Sequence, residues 1–102
     1  MEDMLPEEVT IPTELSRLCK AMGHPVRFRV LTLLAQGVCN VNELVEKLGV
    51  EQYKVSKHLT ILFEAGLVTY QVNGRNRCYE LSQPGVIREI LELFGKLRGQ
   101  LS

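Results

Sequence analysis

Between Glu51 and Glu64 the chain carries Gln52, Tyr53, Lys54, Ser56, Lys57, His58 and Thr60, with no acid in the interval. Amide, hydroxyl and ammonium groups gathered on one short segment are the groups that contact nucleic acid. A Gln amide pairs in bidentate fashion with adenine, Ser serves several bases, and Lys offers a point charge to phosphate. Tyr53 adds a hydroxyl on a flat apolar ring. Further along, Arg75, Asn76 and Arg77 suit a phosphate strand or a minor groove. Net charge is zero overall, yet residues 52–79 hold Lys54, Lys57, Arg75 and Arg77 against Glu64 alone, four cations less one acid, or +3. Such segregation matters more for nucleic-acid binding than the total does. An ordinary solvated helix would instead mix Glu and Lys at i,i+4 spacing.

Other chemistry has little material. His24 and His58 are the two histidines, and there is no Gly-rich phosphate loop, His-Glu-x-x-His pair or nucleophile elbow. An enzyme is therefore not expected. His24 precedes Pro25 and reads as a helix cap. His58 falls nearer the core side of its helix, which favours a half-buried, hydrogen-bonded ring over a base contact, although it stays among the candidate DNA contacts. Cys19, Cys39 and Cys78 are an odd number, with no Cys-x-x-Cys pair, so neither a disulfide framework nor a zinc knuckle is expected. Thiolates do select soft metals and arsenite. The candidates for such a site are Cys19 and Cys39, meeting from different protomers at a dimer interface. Against this, Cys19 shares an apolar face with Leu15, Leu18 and Met22, where cysteine acts as a small hydrophobe.

The elements that must position these groups follow from periodicity. Residues 1–12, with Glu2, Asp3, Glu7 and Glu8 and with Pro6 and Pro12, form an acidic arm. From Thr13, a candidate N-cap, Leu15, Leu18, Cys19 and Met22 recur at i, i+3, i+4, i+7 and give a first helix that Gly23 stops. Pro25 opens a second, with Val26, Val30, Leu31, Leu33 and Leu34 as core positions. Asn40 or Asn42 can cap a short third helix ending at Gly49, and the polar segment 51–65 forms the fourth. At about 100° per residue, Val55, Leu59 and Leu62 share its core face. Tyr53, Lys57 and Thr60 lie opposite, with Ser56 and Lys54 flanking them and Gln52 near the N-terminal end. Two short helices joined around a glycine are the signature of a helix-turn-helix. After Gly66 the period changes to two: Val68, Tyr70 and Val72, then Asn73-Gly74, then Tyr79 and Leu81, a hairpin with the tip at 73–77. Pro84 and Gly85 start a last helix. The fold class is α+β, mostly α: a winged helix-turn-helix over 13–102 with a two-stranded wing. The last helix has more apolar positions than a single ~100° stripe uses, so a twofold dimer is expected. Leu15, Leu18, Ile90, Leu91, Phe94 and Leu97 would form its interface. No run approaches the ~20 apolar residues of a membrane span, and a cytoplasmic location is expected.

The stretches LCKAMGHPVRFRVLTLLAQG, VNELVEKLGVEQYKVSKHLTILFEAGLV and VNGRNRCYEL resemble the ArsR/SmtB family of small dimeric regulators over residues 15–82. The resemblance implies a winged-helix homodimer paired through its first and last helices, repressing a promoter until an inducer binds. It implies that Gln52, Ser56, Lys57 and His58 occupy recognition-helix positions and Arg75 that of the wing arginine. The sensing residues depart from the family. Asn40 and Asn42 stand where the arsenic-sensing branch has cysteines, with Cys39 one place upstream. Residues 84–102 have no histidine for a zinc site, and Glu89 and Glu92 are expected to pair with Arg88 and Lys96. Cysteines for persulfide sensing are missing from the second and last helices. The expected partner is double-stranded operator DNA and the expected inducer unidentified, with an arsenite or soft-metal sensor as the alternative. A winged helix used for protein–protein contact is the rival from another class; Ile61 and Phe63 are the residues it would expose.

Overall fold

His24 opens the second helix. Its backbone is extended (φ −80°, ψ 132°), and its ring Nδ1 accepts from the Val26 N–H at 3.1 Å. Pro25, with no N–H to satisfy, then takes the first helical position. The computed structural model describes residues 13–101; the acidic arm expected at 1–12 lies outside the described residues. The elements are α1 (Thr13–Gly23), α2 (Pro25–Ala35), α3 (Val41–Leu48), α4 (Gln52–Glu64), β1 (Val68–Asn73), β2 (Asn76–Leu81) and α5 (Pro84–Leu101). Two boundaries differ slightly from expectation. Thr13 is the first described residue and already lies in α1, and α4 spans 52–64 rather than 51–65.

Capping chemistry sets the helix-turn-helix. Asn40, not Asn42, caps α3: its Oδ1 accepts from the Glu43 N–H at 2.7 Å. Gly49 ends α3 in the left-handed conformation (φ 66°), and its N–H donates to Val45 O at 2.9 Å. Only glycine takes that backbone freely, and the chain turns there into α4. Val55, Leu59 and Leu62 are fully buried from α4, against Leu44 of α3 and Val30, Leu31, Leu33 and Leu34 of α2. The predicted core face of α4 is the observed one.

The strands pair antiparallel from Val68↔Leu81 to Asn73↔Asn76, leaving Gly74-Arg75 as a two-residue turn. Gly74 supplies the positive φ (67°) that a tight hairpin needs at its first central position. Val68, Tyr79 and Leu81 anchor the root of the hairpin in the core. Val72 does not follow them: beyond Tyr70 the strand projects past the helices, and Val72 is exposed. The core holds no buried polar or charged side chain among the described residues. No helix there is long and apolar enough to cross a membrane.

Candidate nucleic-acid interface

The outer face of α4 and the wing form two walls of one open cleft. Gln52, Ser56 and Thr60 line one side, Arg75, Asn76 and Arg77 the other. All six are exposed, so residues separated by up to 25 positions face the same solvent. Lys57 and Arg75 make no ion pair with any described residue. These two cations are available for phosphate.

Three of the expected contacts are more constrained than their types suggested. Lys54 turns back toward the helix start, where its Nζ lies 3.5 Å from the Glu51 carboxylate. Both are exposed, so the pairing contributes little to stability but moderates the local charge. Thr60 donates its hydroxyl to Ser56 O at 3.0 Å, leaving its oxygen free only to accept. Arg77 lies on β2 with its guanidinium 4.3 Å from the Tyr70 ring centroid, and its Nη1 reaches Tyr79 Oη at 3.4 Å. Stacked in this way, Arg77 is held at the wing's flank, and Arg75 alone stands on its tip. Tyr53 is exposed with its ring toward solvent, 5.9 Å from Lys54 Nζ.

His58 is half-buried and faces inward. Arg27 Nη1 lies 3.2 Å from its Nδ1, and the His24 ring is 4.4 Å away, centroid to centroid. Burial first, then the neighbouring His24 and Arg27, lower its pKa below the ordinary 6.5. The inward, hydrogen-bonded placement is the one its helical position favoured. Arg27 also donates to Ala21 O at 2.6 Å and to Lys20 O at 3.1 Å. It thus satisfies carbonyls at the end of α1 while holding the recognition helix. Sequence reasoning gave Arg27 no stated role; the available signal was its place two positions after the helix-opening proline.

The thiols divide between two faces. Cys19 lines an apolar groove between α1 and α5 with Leu15, Leu18, Phe28, Leu91 and Phe94. The Phe28 and Phe94 rings meet edge to face at 5.9 Å. Cys39 is elsewhere, on the wall of the cleft beside the wing, which it shares with Cys78 of the same chain. Their 39-residue separation gave no sign of this placement. One smaller expectation is corrected. Arg88 donates to Ala35 O at 2.7 Å, closing the end of α2 instead of pairing with Glu89 or Glu92. Ile61 and Phe63 are both exposed, at 40% and 45%, and the Phe63 ring packs on that of Tyr70 at 5.3 Å.

Residues 24–70 match the profile of the bacterial regulatory proteins of the arsR family. The HTH-type transcriptional regulator CmtR of Mycobacterium tuberculosis is 38% identical over 79 residues, 78% of this chain and 67% of the relative. The chain belongs to the ArsR family. Within it, the biofilm growth-associated repressor of Agrobacterium fabrum is 35% identical over 82 residues, 80% of this chain and 70% of its own. The homodimeric winged helix-turn-helix DNA-binding domain Mb0332 of Mycobacterium bovis has the same fold, with a TM-score of 0.78 at 24% identity, covering 98% of this chain and 92% of that one. As an ArsR-family member the protein is a DNA-binding transcriptional regulator and not an enzyme. In the fold, α3 and α4 are the helix-turn-helix and β1–β2 the wing.

Proposed function

We propose that the protein is a dimeric, cytoplasmic repressor that binds a pseudo-palindromic operator, each protomer placing α4 in a major groove and its wing tip on the flanking backbone. One observation carries the assignment of contacts: Gln52, Ser56 and Thr60 of α4 and Arg75 of the wing line a single cleft, and Arg75 and Lys57, the latter next to Ser56 on the exposed face of α4, have no ion-pair partner among the described residues. Gln52 and Ser56 stand at the start of α4, where a recognition helix first meets base edges, and they carry sequence preference. Lys57, Arg75 and Arg77 supply phosphate affinity, with Tyr53, Lys54, Thr60 and Asn76 at the margins. His58 acts from behind the helix through Arg27.

The apolar groove between α1 and α5 supports the dimer. Phe94 and Leu97 are about half exposed, at 46% and 51%, more than an isolated helix leaves to water without reason. Twofold-related α4 helices would meet half-sites about 34 Å apart, one DNA turn. An inducer, unidentified, releases the complex.

The test is fluorescence anisotropy on the operator and on a scrambled duplex over a salt series. Gln52→Ala should lower affinity for the matched site by about 1–3 kcal/mol for each base edge it no longer reads and leave the scrambled site unchanged. Arg75→Ala should weaken both equally and reduce the salt slope by about one unit for each phosphate it no longer neutralises. If the wing variant alters specificity while Gln52→Ala weakens every site alike, the roles are reversed.

A further inference from the structure

Cys39 and Cys78 share a wall of the cleft between α3, α4 and the wing. The Tyr79 N–H donates to the Cys39 carbonyl at 2.8 Å. The link between α2 and α3 therefore lies along β2, at roughly the 4.8 Å spacing of paired strands. That hydrogen bond holds residue 39 against the neighbour of Cys78, and a disulfide between the two cysteines would need a Cα separation of about 4.4–6.8 Å. Hydrogen bonding to Cys39 first, then burial, the Cys39 thiol's own charge and Glu80, push the Cys78 thiol up to about 11. Both residues are half-buried rather than sealed, and both border open solvent in the cleft. Nothing in the DNA-reading surface uses either thiol.

We propose that Cys39 and Cys78 are an oxidative modification site, closing to an intramolecular disulfide in response to a hydroperoxide, and that closure weakens operator binding. Of the two thiols Cys78 is the one pushed up, which makes it the poorer first nucleophile, and the first attack is assigned to Cys39. The Cys39 thiolate attacks one oxygen of hydrogen peroxide and the O–O bond breaks. The departing hydroxide takes up a proton as water, and Cys39 becomes a sulfenic acid. The Cys78 sulfur then attacks the Cys39 sulfur. The S–S bond forms, the S–O bond breaks, and the second hydroxide leaves as water with the Cys78 proton. Two thiols lose two electrons and two protons, and the peroxide is reduced to two waters.

The link would act on both walls of the cleft. An S–S bond of about 2.05 Å draws β2 against the α2–α3 link. Residue 77 next to it carries the stacked Arg77, and residue 40 is the α3 cap. Shifting either alters how the wing and α4 together span the duplex. This consequence rests on the proposed DNA interface; formation of the bond does not.

The experiment treats the full chain with hydrogen peroxide and follows intact mass, non-reducing peptide maps and operator anisotropy. Expected are a loss of two hydrogens, a peptide joining 39 to 78, and at least a tenfold weakening that dithiothreitol reverses. Cys19→Ser should behave as the parent. Cys39→Ser and Cys78→Ser, checked for folding by circular dichroism, should bind DNA within a few fold of the parent and ignore peroxide. In Cys78→Ser, dimedone should label Cys39. Bound operator, by covering the cleft, should slow the cross-link. A cross-link through Cys19, no cross-link at all, or a 39–78 link that leaves affinity unchanged overturns the proposal. Failure of the reduced protein to bind DNA instead overturns the operator reading and leaves the mass result to decide the bond.

Discussion

Arg27 commits its guanidinium to three partners on two helices: the Ala21 and Lys20 carbonyls of α1 and the His58 ring of α4. Hydrogen bonds from a charged donor contribute about 1.5–3 kcal/mol each. Partial exposure of this cluster keeps the net effect near one such bond, so Arg27→Leu should lower unfolding free energy by about 2–3 kcal/mol in urea melts. Arg27→Lys should recover only part, because an ammonium cannot span the fork of acceptors. His58 gives a second expectation, in pH. Its folded-state pKa lies below 6.5, mainly through burial, so the unfolded chain takes up the proton first as pH falls. Its contribution to stability is complete above the unfolded value and is lost as pH drops through the lowered folded one. His58→Gln should flatten the stability profile below about pH 6.5 in urea midpoints measured across a pH series. An unchanged acid slope would mean that another group controls it.

Elements obey local rules that the sequence states openly, and contacts between elements do not. The core face of α4 was legible because Val55, Leu59 and Leu62 repeat at helical spacing. The wing was legible from its alternation and Asn73-Gly74. Asn40 and Asn42 were equivalent by type. The choice between them depends on which residue is extended when α3 starts, and Asn40 is (φ −97°, ψ 155°). Asn40→Ala should cost about 0.5–2 kcal/mol by thermal or urea unfolding, while Asn42→Ala, on the exposed side of α3, should cost about 0.5 kcal/mol at most. Equal losses would place the cap elsewhere. What was not legible arises from pairing across the chain. Arg77 stacks on Tyr70 because the register sets Val72 opposite Arg77 and Tyr70 opposite Tyr79. Cys78 reaches Cys39 because the Tyr79 N–H bonds the Cys39 carbonyl. Arg88 reaches Ala35 across 53 residues. None of these has a signature in spacing: the first depends on the register within the hairpin, the others on how the hairpin and α5 fold back over α2.

At the scale of the whole molecule, α5 is the unfinished element. Of its 18 residues only Ile87 is buried, while Val86, Leu93, Phe94, Leu97 and Leu101 remain exposed. Phe94→Asp with Leu97→Asp should convert a dimer to a monomer in sedimentation at micromolar concentration and weaken operator binding with it. A chain already monomeric there would remove the twofold geometry from the proposed operator complex. If the groove is filled by a second copy, α5 folds firmly only when two chains find each other, and stability becomes a function of abundance. A tenfold fall in chain concentration then withdraws about 1.4 kcal/mol from the assembled state. Growth and division dilute a protein in this way. As the cell dilutes the regulator, its occupancy of DNA and its resistance to proteolysis decline together, so the exposed face of α5 makes gene dosage an input to the switch.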